Sequence, residues 1–233
     1  MKVAVFSDIH GNLQALEAII NDINKEKIDK VICLGDVIGI GPNPKECLDM
    51  IIDNNIDMVL GNHELYYVYG VEIDDAIKDK LKAHYEWINR QLNKKYLEFL
   101  KNKGLEIKID NILFTHFLIN QDRKEFYPFY ELSILKDNEI KNIVASIKYE
   151  KIFVGHEHTL FNIETNLNEL IGIGSSGCVK DDSTSYIIID LKEPLKIERR
   201  SIKYDRANFI NNLKRIEYPD REMISEFFFG VKM

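Results

Sequence analysis

Five of the six histidines in this 233-residue chain fall in short clusters with carboxylate, amide or glycine neighbours. The clusters are Asp8-Ile9-His10, Gly61-Asn62-His63-Glu64, Thr115-His116 and Gly155-His156-Glu157-His158. Together with Gly35-Asp36 they offer imidazole nitrogens and carboxylate oxygens, the usual donors for borderline divalent metals. There are more of them than one ion needs, so a site for two divalent ions is expected. A set of hydrogen-bonded core histidines is the alternative, but core histidines have no reason to recur beside Asp and Asn at successive strand ends.

Each cluster follows a short apolar run that reads as a buried strand: 2–6, 31–34, 58–60, 112–115 and 151–154. In open α/β sheets, ligands gather outside the carboxyl ends of strands, which would bring residues distant in sequence to one rim. Within a cluster, residues two apart in an extended segment share a side, so Asp8 and His10 are expected to face one metal and His156 and His158 one wall. Gly35, Gly61 and Gly155 stand where strand gives way to cluster and a tight turn is needed.

The order D-x-H, G-D, G-N-H-E, H and G-H-x-H resembles the calcineurin-like metallophosphoesterases over residues 8–158, and the flanking Ser7–Leu13 and Gly35–Pro44 are similar to the small prokaryotic phosphodiesterase branch. The resemblance implies an α/β (α+β) fold, a four-layer α/β/β/α sandwich of two mixed sheets with a dinuclear site at the strand C-terminal rim. It implies that Asp8, His10 and His158 hold one ion, that Asn62, His116 and His156 hold the other, and that Asp36 bridges them. His63 would be catalytic, facing the phosphate and stabilising or protonating the leaving oxygen, a role suited to imidazole. The two ions (Mn favoured, with Ni, Co, Fe or Zn possible) would clamp the attacking and leaving oxygens and acidify a bridging water, so that the resulting hydroxide attacks phosphorus.

The protein-phosphatase branch continues G-D-x-x-D-R-G, with an Asp that orients the histidine and an Arg for the phosphate. Gly39 and Ile40 stand there in this chain, which points away from phosphoprotein substrates. Phe117 follows His116 where the diesterase relatives carry glycine, and Glu157 stands where Thr is common. The expected function is a metal-dependent phosphodiesterase for small phosphodiesters or nucleotides. The alternatives are a phosphoprotein or nucleotide monoesterase, and a non-catalytic interaction module on the same fold.

Net charge is −7, with 31 basic and 38 acidic side chains, which gives no general attraction for duplex nucleic acid. No apolar stretch reaches the roughly 18 residues of a membrane span. The amino terminus enters a strand at once, so a secretory signal is not expected. Cys33, Cys47 and Cys178 show no metal-binding or disulfide spacing and read as free thiols of a cytoplasmic protein, Cys33 as core.

The chain reads as a single domain, 1–233. A helix capped by Asn12 should carry Leu13, Leu16, Ile20 and Ile23, and Pro44 should open a second over 45–53. A helical insert is expected at 64–104, with a stripe of Ile77, Leu81, Tyr85, Ile88 and Leu92 and a further helix between Asn93 and Gly104. His84 within it reads as a packing or surface residue. Asp110-Asn111 should turn a hairpin, and the runs at 160–164, 169–173, 186–190 and 195–203 suggest a second, largely antiparallel sheet. The Gly172–Gly177 segment reads as a tight inter-strand connection rather than a phosphate cradle. A helical tail at 205–233, broken at Tyr218-Pro219-Asp220, ends in Phe227–Phe229, which should dock on the body or form a homodimer contact. Candidate substrate contacts are Asn12, Arg123 and Tyr127. The last two belong to an aromatic-basic run, 123–130, that could stack a base or simply pack under a loop.

Overall fold

β1 (Lys2–Phe6) shows why the central strands are unbroken apolar runs. Val3 and Val5 face one side, Ala4 and Phe6 the other, and all four are buried. A strand covered on both faces needs no polar side. The computed structural model describes residues 1–70, 78–119, 130 and 132–233, with the side chains of 78–81 outside that description.

Among the described residues the fold is mixed α/β, with ten strands in two five-stranded sheets and eight α-helices. The first sheet runs β10 (Lys196–Lys203), β9 (Ser183–Asp190), β1, β2 (Lys30–Cys33), β3 (Asp57–Met58). The second runs β4 (Glu106–Ile109), β5 (Ile112–Thr115), β6 (Lys151–Val154), β8 (Glu169–Ile173), β7 (Leu160–Glu164). Each has a parallel set of three strands, β1–β2–β3 or β5–β6–β8, completed by antiparallel partners.

The sheets pack face to face through Val3, Val5, Ile32, Phe114, Phe153 and Ile187, with the Phe114 and Phe153 rings stacked at 5.3 Å. Burying each such side chain stabilises the fold by about 1.5–3 kcal/mol. On the outer face of the first sheet lie α1 (Leu13–Ile23), α2 (Pro44–Asp53), α3 (Asn62–Tyr69), α4 (Lys78–Gln91) and α5 (Lys94–Lys101). α6 (Asp137–Ser146) covers the second sheet. α7 (Arg206–Arg215) and α8 (Arg221–Phe229) pack beside α1. This is the expected four-layer order.

Helix starts follow the capping chemistry. The side chains of Asn12, Asn93 and Asp205 accept from the backbone N–H of Ala15, Lys95 and Asn208, and Pro44 occupies the first turn of α2.

Three expectations need correction. The late strands do not form a sheet of their own: β9 pairs with β1, and β8 with β6. Tyr186, Ile187, Ile188 and Ile189 are buried in succession, so β9 needs cover on both faces and takes an interior position. The five rim strands are divided between the sheets, β1, β2 and β3 in one and β5 and β6 in the other. α6 had no sequence expectation, although Ile140 and Val144, buried one helical turn apart, mark its inner face. The tail divides: Phe229 is fully buried, whereas Phe227 is 67% exposed.

Candidate metal centre and its surroundings

The rim is built from unusual backbone. Asp8, His10, Asp36, His156 and His158 all have positive φ, of 55°, 47°, 51°, 65° and 55°. The D-x-H and H-x-H segments are therefore not extended, and shared sidedness along a strand does not explain how their side chains converge. Left-handed residues turn each loop back over its strand. Asp and His tolerate this conformation better than most residues, yet each costs on the order of 1–3 kcal/mol. Backbone bonds between the loops hold them: Asp8 N–H donates to Gly35 C=O (3.0 Å), His10 to Asp36 (2.9 Å), Gly11 to Val37 (2.8 Å) and Gly155 to His116 (3.0 Å).

The seven expected ligands come together. His10 Nε2 lies 3.0 Å from His158 Nε2, and Asp8 Oδ1 lies 3.7 and 3.3 Å from those two nitrogens. Asn62 Oδ1 stands 3.2 Å from His116 Nε2 and 2.9 Å from His156 Nδ1. Between the two groups Asp36 Oδ2 is 3.7 Å from His10 Nε2 and 3.2 Å from His116 Nε2.

These residues fit divalent ions. Ligand atoms about 2.0–2.2 Å from one ion stand roughly 3–3.5 Å apart, close to the 2.9–3.7 Å found here. The Nδ1 atoms of His10 and His116 lie 3.2 and 2.7 Å from the carbonyls of Ile38 and Leu34. An Nδ1–H donated to a carbonyl leaves the Nε2 lone pair for a metal, the usual outer-shell arrangement of a ligating histidine. Asp8 Oδ1 is buried without an aligned hydrogen-bond donor.

The electrostatics also call for cations. Burial opposes ionisation of Asp8 and Asp36, but the neighbouring imidazoles, His116 foremost, hold both carboxyls well below the usual range. Burial likewise opposes charge on His116 and His158, but Asp36 and Asp8 carry His116 up to about 9, and Asp8 carries His158 up to about 11. His156 is lowered by burial, and further by His116, to about 4.

His63 lies in the first turn of α3 at the edge of this cluster, its ring 4.9 Å from that of His10, and its backbone N–H donates to Asp36 Oδ1 at 2.9 Å. One of its nitrogens falls within 4.8 Å of ligand atoms of His10 and Asp36, so proximity alone does not set it apart from the ligands. Its Nδ1 is 2.6 Å from the hydroxyl of Tyr85, which is buried on α4. Burial lowers the pKa of His63 well below the ordinary value, and burial raises that of Tyr85. Gly39 makes room for the ring: at φ 85°, a Cβ there would sit 2.1 Å from His63 Nδ1. Beside it Ile40, a β-branched residue at φ 58°, is held by its N–H to His84 Nε2 (3.3 Å) and its carbonyl to the Tyr218 hydroxyl. His84 is thus a buried packing residue, lowered to about 4 by burial and so available as an acceptor.

Several supporting residues lacked a sequence assignment. Glu64 is buried and accepts from the N–H groups of Asp36, Val37, Ile38 and Gly61 at 2.8–3.1 Å, tying two ligand loops together. Burial and the charge of Asp36 push its carboxyl up to about 7. The signal was present, since Glu at the third helical position reaches back to the Gly61 N–H, the half of a capping box that a glycine N-cap allows. The Gly174–Gly177 turn supports the Asp8 loop: Ser175 Oγ and Gly177 N–H both donate to the Asp8 carbonyl. It also places Cys178 Sγ within 4.8 Å of ligand nitrogens of His10 and His158, a closeness its sequence position does not suggest. Cys33 and Cys47 are buried, and burial pushes both thiols up.

Of the candidate substrate contacts, Asn12 has both ends of its amide engaged internally, as the α1 cap and as a donor to Gly177 C=O at 2.9 Å. Arg123 and Tyr127 lie outside the described residues. The mouth of the cavity above the ligands is lined by Ile40, Lys180, Phe227 and Phe228, with Glu157 and Thr159.

A two-sheet sandwich with this rim is a metallophosphoesterase fold, and comparison with known proteins agrees. The pattern of the calcineurin-like phosphoesterase superfamily domain matches residues 1–194, and the chain belongs to that family, which uses divalent metal ions and hydrolyses phosphoesters. The chain is 34% identical to protein MJ0912 of Methanocaldococcus jannaschii, with 94% of each chain covered. Its fold is similar to that of protein PH1004 from Pyrococcus horikoshii OT3 (TM-score 0.79, 19% identity, 100% and 99% of the chains). It is also similar to a metallophosphoesterase from Sphaerobacter thermophilus (TM-score 0.75, 20% identity, 99% and 100%).

Proposed function

We propose that the protein is a two-metal phosphodiesterase acting on small phosphodiesters or nucleotides. The observation that carries this reading is the spacing of the seven donor atoms, 2.9–3.7 Å within and between two groups that share Asp36. Asp8, His10 and His158 would hold one ion and Asn62, His116 and His156 the other, with Asp36 between them. Bound divalent ions supply charge for the phosphoryl oxygens and acidify water. Mn²⁺ is favoured for activity, with Ni²⁺ and Co²⁺ expected to substitute for it, since mixed nitrogen and oxygen donors discriminate poorly among these ions.

The protein's own part is to orient and to handle the leaving group. His63, kept neutral by burial, presents the nitrogen not taken by Tyr85 to the leaving oxygen and stabilises its developing charge. Among the described residues the mouth holds no arginine; Lys180 is its cation. A monoester's second negative charge therefore lacks a bidentate partner, which favours diesters. The free thiols suit a reducing compartment.

The test is hydrolysis of a generic aryl phosphodiester and an aryl phosphomonoester across a metal panel, alongside metal content. Two ions per chain, activity abolished by chelation and restored by Mn²⁺, and diester cleavage at least equal to monoester cleavage are expected. Full activity in exhaustively chelated protein would refute the metal-dependent reading, and a strong preference for phosphoserine or phosphothreonine peptides would overturn the diester assignment.

A further inference from the structure

We propose that Phe227 and Phe228, at the end of α8, form a stacking subsite for the base of a nucleoside phosphate whose phosphate enters the candidate metal centre. This deepens the phosphodiesterase reading and rests on it. Phe229 is fully buried, and Arg206 clamps the helix end, donating to the carbonyls of Phe229 (2.7 Å), Val179 (3.1 Å) and Asp181 (3.0 Å). Docking of the tail therefore does not require Phe227, while Phe228 is half-buried against the same cluster as Phe229. Phe227 is nonetheless 67% exposed, packs edge-on to Phe228 at 4.8 Å, and lines the same cavity as the ligand histidines. Phe228 stands 6.0 Å from the ring of His158. Lys180 reaches the same mouth with its stem beside Gly230, so a cation adjoins the aromatic wall. A flat, exposed ring backed by a half-buried one, next to a candidate phosphate-handling centre, suits a base, because every base has a π-face to stack.

Calorimetric titration of the Mn²⁺-loaded protein with AMP and with ribose 5-phosphate separates base from phosphate. AMP should bind more tightly than ribose 5-phosphate, Phe227→Ala should weaken AMP roughly tenfold, and Phe227→Trp should restore it. Equal affinity for the two probes, or unaltered AMP binding in Phe227→Ala, overturns the subsite while leaving the phosphoesterase reading intact. Binding of neither probe overturns the subsite, and the phosphoesterase reading falls with it only if the same Mn²⁺-loaded protein also fails to cleave an aryl phosphodiester.

Independently, the geometry points to Tyr85 as the residue that positions His63. The Oη–Nδ1 distance of 2.6 Å occurs where Gly39 has removed any side chain that could reach the ring. A buried phenol that keeps its proton donates to Nδ1 and so fixes the imidazole proton on Nε2, toward the cluster. Tyr85→Phe keeps the packing and removes the hydroxyl. On a diester with a poor alkyl leaving group kcat should fall about 10- to 100-fold, with much less loss on a nitrophenyl diester and with KM and metal content retained. Imidazole ¹⁵N spectra of the chelated protein should show His63 lose its Nε2–H tautomer. Equal losses on both leaving groups, or an unaltered tautomer, would overturn the assignment. If His63→Asn is itself insensitive to the leaving group, the role of His63 falls and that of Tyr85 with it.

Discussion

The rim and the mouth of the cavity are built by different means. The rim lies within the segment that matches the family, and its ligand loops are joined backbone to backbone, with five non-glycine residues in the left-handed region. The mouth takes Phe227 and Phe228 from α8, which lies beyond residue 194, and Tyr85 of α4 is buried behind His63; these parts are held by side-chain contacts. A backbone network admits few changes without losing the metals, whereas a side-chain wall can be altered one residue at a time. On the proposed reading the rim would fix the reaction, and the mouth would be where substrate choice varies.

The largest effect should come from breaking the rim. Asp36→Asn removes the charge shared by both groups, and metal content should fall at both positions with at least 10³-fold loss of activity, measured by elemental analysis and diester hydrolysis. Next is the boundary between the regions. His63→Asn should keep both metals while lowering kcat on a poor leaving group by about 10²–10⁴-fold. Gly39→Ala should reproduce that phenotype, because its Cβ would lie 2.1 Å from His63 Nδ1 and alanine is strained at φ 85°. Metal loss in His63→Asn would instead place this residue among the ligands.

A smaller effect is expected from the far side of the mouth. Arg206→Ala frees three carbonyls that it now serves, so hydrogen exchange should quicken in α8 before it changes in the sheets. Smallest is the anchor of α5 on α2. Asp49 accepts from Tyr96 and Lys95 on α5 and from Lys45 on its own helix. Burial works against the charge, but these partners lower Asp49 to about 2. Because the folded pKa lies below the unfolded value of about 3.9, the contribution is complete above roughly pH 4–5 and is lost as pH falls toward 2. Asp49→Asn should be slightly less stable than the parent at pH 6 and equal to it near pH 2, as read by urea unfolding at both values.

The sequence made the rim's composition legible because metal chemistry restricts ligands to a few residue types, and strands ending in them stand out against apolar runs. How those ligands converge was not legible: Asp8 and His156 carry no mark of a left-handed backbone, and the extended geometry assumed for them was wrong. Sheet membership of β9 and β10 was hidden because pairing partners depend on long-range packing that a local apolar pattern does not encode. Tyr85 was read as one member of an apolar stripe, since the periodicity that buries a ring says nothing about where its hydroxyl lands. Cys178 reaches the ligands only because the Gly174–Gly177 turn folds under the Asp8 loop.

The space beside Gly39 also bears on how such a site could change over time. The carboxylate that orients the corresponding histidine in the protein-phosphatase branch cannot be introduced here without moving that ring, since the first atom of any side chain at position 39 meets His63. Tyr85 and Gly39 are therefore linked: the aspartate arrangement becomes reachable only after the histidine has shifted, and that shift gives up the tyrosine. A redesign toward the aspartate arrangement would therefore have to change position 39 and the support of His63 together.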